Sequence, residues 1–155
     1  MDANTDLLEM MAVHEEKLSE LYQTYAAALP EWRIFWMDIA HEEQCHAAWL
    51  RGLKRKLEAE GGVLNRERFN ITGIHTSMEY IQRKREEVIK EGTTPLRALV
   101  LSLDLEGSLI EKEYFLVYKS DLVSVQEVFN KLREQTTGHR KRMQEKINEE
   151  REKQR

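Results

Sequence analysis

Cysteine is nearly missing from this chain: Cys45 is the only one in 155 residues. That excludes an internal disulfide, and no Cys-x-x-Cys pair is present for thiolate-bound zinc or iron or for thiol redox chemistry. A cytoplasmic location is the expectation that follows. Breakers are scarce, with 7 Gly and 2 Pro, so long helices are expected. No apolar run approaches the roughly 18 residues of a membrane span. The N-terminal Met1-Asp2-Ala3-Asn4-Thr5-Asp6 is acidic, with no basic start before an apolar run, and does not read as a signal peptide. A strong excess of one charge is missing too. Net charge is −4, which argues against nucleic acid as the main partner. The basic runs 51–56 and 140–142 read as solvated helix faces.

Charged residues make up 34% and apolar ones 41% of the chain, a balance and length that suit a single domain over 1–155 with a real core. The apolar residues recur in steps of three and four. Helix 1 is predicted over 5–29, capped by Asn4 or Thr5, with an inward set Leu8, Met11, Glu15, Leu18, Tyr22, Tyr25, Leu29. Pro30 breaks it and fits the first turn of helix 2, which stops at Gly61-Gly62. The stripe of helix 2 is Trp32, Trp36, Ile39, Glu43, His46, Leu50, Leu53, Leu57. A crossover over 61–94 carries a short helix over 77–91. Its expected start is the capping box Thr76-x-x-Glu79, which gives Glu79 a structural role. Thr94-Pro95 opens helix 3, with the stripe Leu99, Leu103, Glu106, Ile110, Glu113, Val117. Ser120 or Asp121 starts helix 4, with Leu122, Val125, Phe129, Leu132, Thr136, His139, Met143, Ile147. The charged end, 148–155, is expected to fray. Four such stripes predict an all-α fold, an antiparallel four-helix bundle with a long crossover between helices 2 and 3.

Each stripe is interrupted at mid-length by a side chain that can ligate a metal: Glu15, then Glu43 with His46, then Glu106, then His139. Counted from the turns at Pro30 and Ser120, these interruptions fall in one central layer. A weak internal repeat points the same way, since Glu15, Leu18 and Glu20 recur 91 residues on as Glu106, Leu109 and Glu111. Burying so many ionisable groups costs several kcal/mol each unless they are compensated. A bound cation is the simplest compensation. Glu43-x-x-His46 by itself is a weak signal; Asp38-x-x-His41 has similar spacing on another face. A lone Glu in an apolar stripe can also serve as a bundle-specificity device. Four interruptions at one level favour metal. Residues three apart share a helix face, so Glu43 and His46 can grip one ion. Carboxylate with imidazole suits iron or manganese, and also zinc.

These residues resemble the ferritin-like superfamily, most closely its rubrerythrin-like branch of diiron-carboxylate four-helix bundles. The resemblance rests on Glu15-Glu16-Lys17-Leu18-Ser19-Glu20-Leu21-Tyr22, on 36–50 with Ala40-His41-Glu42-Glu43-Gln44-Cys45-His46-Ala47, on Leu103-Asp104-Leu105-Glu106 and on 132–139. It covers nearly the whole chain through short motifs. The family places a Glu on each of two helices and a Glu-x-x-His on each of the other two. Carried over, Glu15 and Glu106 are terminal ligands, Glu43 bridges, and His46 and His139 each bind one ion. This chain departs at position 136, where the second bridging Glu is Thr136, and it has no rubredoxin-like module. Three carboxylates leave a formal +1 for two divalent ions or −1 for one. Tyr22, Glu113 and Thr136 are expected around the ligands. Thr136-Thr137-Gly138 costs about 2 kcal/mol relative to alanines, so a loosened or bulged turn is expected there. The resemblance implies one or two iron ions and oxidase or peroxidase chemistry fed by an external electron donor. Iron sequestration and a metal-free interaction module are the alternatives. A homodimer is expected, with Met10, Met11, Trp32 and Phe35 as candidate contacts.

Overall fold

The computed structural model describes residues 3–61, 71–108 and 123–155, and the side chains of 3–6 and 124–125 are not described. Among the described residues the chain is all-α, without a strand. Helix α1 spans Ala3–Ala28, a 3-10 turn spans Pro30–Trp32, α2 spans Arg33–Glu60, α3 spans Ile71–Glu91, α4 spans Pro95–Glu106, and α5 spans Val123–Lys153.

Local chemistry sets the boundaries. Leu29 leaves helical geometry, Pro30 opens the 3-10 turn, and the Trp32 N–H donates to the Leu29 carbonyl at 2.8 Å. Gly61 and Gly92 close α2 and α3 at φ +74° and +75°, a backbone region that penalises any Cβ. Thr94 caps α4 by accepting the Arg97 N–H at 3.2 Å, and Pro95 fills the position where no donor is needed.

Four expectations are corrected. The capping box does not start the short helix: α3 is already helical at Ile71, and Thr76 and Glu79 lie exposed inside it. A cap is worth about 1 kcal/mol, whereas burying Ile74 is worth roughly 1.5–3 kcal/mol, so the earlier start wins. Helix 3 does not run on as one uninterrupted helix, because α4 ends at Glu106, where Gly107 and Ser108 turn back to the Leu103 and Leu105 carbonyls. Ile110, Glu113 and Val117 lie outside the described residues, so the expected position of Glu113 near the ligands does too. No bulge occurs at Thr136-Thr137-Gly138: α5 passes through them as regular helix. Phe129 and Leu132 before this stretch, and Met143 and Ile147 after it, are buried. That packing outweighs a propensity deficit of about 2 kcal/mol. The charged end is helical to Lys153, with Lys146–Glu149 and Lys153–Glu150 pairs one turn apart and Arg151 and Lys153 on the favourable end of the helix dipole.

Helix α1 packs along α2 and α3, α4 packs on α5, and α2 meets α5. The apolar interior comes in two clusters. One holds Leu7, Leu8, Met11, Leu50, Leu53, Ile74, Phe129 and Leu132. The other holds Leu18, Tyr22, Tyr25, Trp36, Ile39, Ile81, Leu99, Met143 and Ile147. Met11 is 1% exposed and belongs to the core, so it is no dimer contact. Met10, Trp32 and Phe35 are half-buried against the two clusters. Between the two clusters in sequence, on α1, α2 and α5, sit buried ionisable side chains, and another, Glu106, ends α4. Among the described residues no helix is long and apolar enough to cross a membrane.

Candidate metal centre

The polar layer gathers residues that are distant in the chain. Glu15 comes from α1, Glu43 and His46 from successive turns of α2, Glu106 from the last residue of α4, and His139 from α5. None is more than 2% exposed. They form two triads, Glu15–Glu43–His46 and Glu43–Glu106–His139. Within each triad, one ligand-type atom per residue lies within 4.8 Å of the others. Glu43 belongs to both. The three-residue spacing of Glu43 and His46 puts them side by side, with Nδ1 of His46 3.2 Å from Oε2 of Glu43.

Both imidazoles turn Nδ1 inward. His46 Nδ1 also lies 3.8 Å from Glu15 Oε2. His139 Nδ1 lies 3.1 Å from Glu43 Oε1 and 3.3 Å from Glu106 Oε1. The rings stack with centroids 5.6 Å apart. Among the described residues, two buried carboxylate oxygens, Glu15 Oε2 and Glu43 Oε1, make no well-aligned hydrogen bond; their nearest imidazole nitrogens are the Nδ1 atoms at 3.8 Å and 3.1 Å. A poorly satisfied buried acceptor costs up to about 1–3 kcal/mol, more when charged, and both oxygens belong to the triads.

Outward, Nε2 of each imidazole is also engaged. His46 Nε2 meets Gln135 Oε1 at 2.6 Å, and His139 Nε2 meets Glu42 Oε2. The Arg142 guanidinium donates to the same Glu42 oxygen at 2.8 Å. An outer acceptor on one ring nitrogen leaves the other free to ligate and fixes its aim. Tyr22 donates its hydroxyl to Glu106 Oε1 at 2.8 Å. Its ring stands against Trp36 at 5.5 Å, and Trp36 against Tyr25 at 4.8 Å, walling one side of the layer with aromatic rings. Thr136 is buried one turn before His139, so the layer holds no fourth inward carboxylate from α5. Beside the C-terminus of α4, Gly107 leaves room for the Arg140 guanidinium, whose nearest atom would stand 3.1 Å from a Cβ there. A cation at that helix end suits the dipole.

The electrostatics show how strongly the cluster demands positive charge. Burial opposes charge on His46, but the carboxylates of Glu43 and Glu15 outweigh it and lift the imidazole to about 11. Burial likewise opposes charge on His139, and Glu106, Glu42 and Glu43 outweigh it, lifting the ring to about 12. Burial and the Glu43 charge push Glu106 up to about 7 and Glu15 well above the usual carboxylate range. Glu43 is held well below that range: burial opposes its charge, but Glu15 and the two imidazoles prevail. Without metal, protons on the two rings therefore neutralise the layer. A cation placed between Nδ1 and the carboxylates does the same work and displaces them.

Sequence reasoning named all five of these side chains but missed their outer partners. Glu42 is adjacent to Glu43 and reads as a solvent-face residue until α2 is set against α5. Gln135 and Arg142 flank His139 on α5 and carry no signal of their own. His14 was also missed. It is 1% exposed, and its Nε2 lies 2.9 Å from Ser77 Oγ. Burial drives its imidazole down to about 4, so it is neutral, in contrast to His46 and His139. Asp38 and His41 lie on the exposed face of α2, outside the cluster, as their register requires. Comparison of the chain with family models, curated proteins and solved structures finds no match.

Proposed function

We propose that this chain is a ferritin-like protein of the rubrerythrin-like kind, a four-helix bundle holding two metal ions, iron first among them, bridged by Glu43. The observation that carries this reading is the pair of buried Glu–Glu–His triads sharing one carboxylate. Glu15 and His46 would hold one ion and Glu106 and His139 the other. Oxygen and nitrogen donors without thiolate suit iron and manganese, with zinc as a further candidate.

The proposed activity is that of a non-haem iron oxidoreductase, an oxidase or peroxidase, since bound iron can exchange electrons with oxygen or peroxide. The protein's own contribution is positional. Gln135 and Glu42 hold the two imidazoles with Nδ1 inward. Tyr22 fixes the Glu106 carboxylate. Tyr22, Tyr25 and Trp36 keep water from one side of the centre. A surface groove lined by Glu42, Gln135, Gly138, His139 and Arg142 lies against the outer side of His139. Turnover would require an external electron donor. Thr136 in place of a carboxylate favours the rival reading, a metal-free interaction module. Three carboxylates buried side by side at Glu15, Glu43 and Glu106 speak against it.

The test is elemental analysis of protein loaded anaerobically with ferrous iron and desalted, beside Glu43→Ala. Two irons per chain in the wild type, lost in the variant, support the proposal. No retained iron, manganese or zinc in the wild type overturns it.

A further inference from the structure

The two halves of the centre match in their inner residues and differ in what stands behind each imidazole. Each half has one carboxylate of its own, Glu15 or Glu106, one imidazole, and a share of Glu43. Behind His46 is a neutral amide, Gln135. Behind His139 is a carboxylate, Glu42. An imidazole that donates Nε2–H to an anion is a stronger donor at Nδ1 than one that donates to an amide.

Two groups work against this difference. Arg142 pairs with the Glu42 oxygen that meets His139, and with 40% and 33% of the two side chains exposed, water and salt screen the pair; the carboxylate is nonetheless the group in direct contact with Nε2. Tyr22 withdraws density from Glu106 on the same half, but a phenol is a neutral donor and Glu42 is a carboxylate. Glu42 also changes the charge count. Among the described residues, two divalent ions would face three inner carboxylates, and Glu42, acting through His139, is the fourth. It replaces in charge, though not in position, the carboxylate that Thr136 lacks.

We infer that the two metal positions are inequivalent, that a divalent cation fills the Glu43–Glu106–His139 half first, and that Glu42 is the positioning residue that sets this order. The inference rests on the metal-binding reading above. It predicts a tight and a weak step in place of two equal ones, so one ion per chain would be retained at limiting metal.

The experiment is anaerobic titration of the full chain with cobalt(II), followed by its visible absorption and by calorimetry, in wild type, Glu42→Gln and Gln135→Glu. Glu42 and Gln135 are both partly exposed, and both substitutions keep side-chain shape, so the fold is retained; far-ultraviolet circular dichroism checks it. The wild type should bind in two resolved steps. Glu42→Gln should weaken the first step about 10- to 100-fold, the range for outer partners of metal-bound histidines, and leave the second within about threefold. Gln135→Glu should strengthen the second step and bring the two together. A single step of two equal sites in wild type, or a first step unmoved by Glu42→Gln, overturns the inference and leaves the metal-binding reading standing. No cobalt bound by wild type at all overturns that reading, and the inference with it.

Discussion

Raising the pH should destabilise the metal-free protein and stabilise the metal-loaded one. In the metal-free chain His46 and His139 have folded-state pKa values of about 11 and about 12 against an unfolded value of 6.5. A raised value means that the folded state holds the proton more tightly. Their contribution is therefore fully present below about 6.5 and is lost as pH rises toward the folded values. Above pH 7.5 the folded chain holds about two more protons than the unfolded chain. Each proton is worth about 1.4 kcal/mol per pH unit, so stability should fall by up to about 2.7 kcal/mol between pH 7.5 and 8.5. For a chain of this size that is roughly 5–11 °C in Tm. Glu106, raised to about 7, acts in the same direction over a lower window, between 4.5 and 7. His14 acts oppositely: its value is lowered to about 4, so its contribution is present above 6.5 and lost as pH falls toward 4. Metal replaces the protons on the imidazoles, so the loaded protein should gain stability over the same rise from 7.5 to 8.5. The assay is thermal denaturation by circular dichroism at both pH values, with chelator and with manganese or ferrous iron. A metal-free Tm that is flat or rising over this interval would refute the reasoning, because it would mean that the inward imidazoles are not charged by the carboxylates around them.

Three further outcomes follow from the packing. Tyr22→Phe removes one of two donors, the other being His139 Nδ1, from a buried Glu106 oxygen and should lower metal-free stability by about 0.5–1.5 kcal/mol in urea unfolding; an unchanged midpoint would show that the His139 contact alone suffices. Gly92→Ala forces a Cβ onto a backbone at φ +75° and should cost about 1 kcal/mol, while Gly138→Ala, where a Cβ meets nothing within 4 Å, should be neutral or stabilising by a similar amount. Leu50→Ala, in a fully buried position of the first apolar cluster, should cost about 2–5 kcal/mol, and a smaller loss would indicate that the cluster collapses onto the space.

The all-α character was legible because apolar residues recur at helical spacing with few breakers. The polar layer was legible for a related reason. A Glu or His inside an apolar stripe has nowhere to go but inward, so Glu15, Glu43, His46, Glu106 and His139 could be named from register alone. Outer partners follow a different rule. Glu42, Gln135 and Arg142 lie on helix flanks, and whether a flank meets solvent or a neighbouring helix depends on pairing that one sequence does not print. Local signals misled where burial overrode them. Thr76-x-x-Glu79 has the spacing of a cap, yet the helix is already formed before it and buries Ile74. Thr136-Thr137-Gly138 is poor helix sequence, yet Leu132 and Met143 hold α5 straight through it. At Gly107 the reverse happened: an apolar stripe suggested continuation, and the Gly-Ser pair ended the helix at Glu106.

The most direct test of the account is anomalous diffraction from crystals soaked with manganese or ferrous iron. Two anomalous peaks are expected flanking the Glu43 carboxylate, one touching Nδ1 of His46 and the other Nδ1 of His139, with the His139 peak the stronger at limiting metal. Peaks confined to surface carboxylates, with none between these two imidazoles, would contradict it.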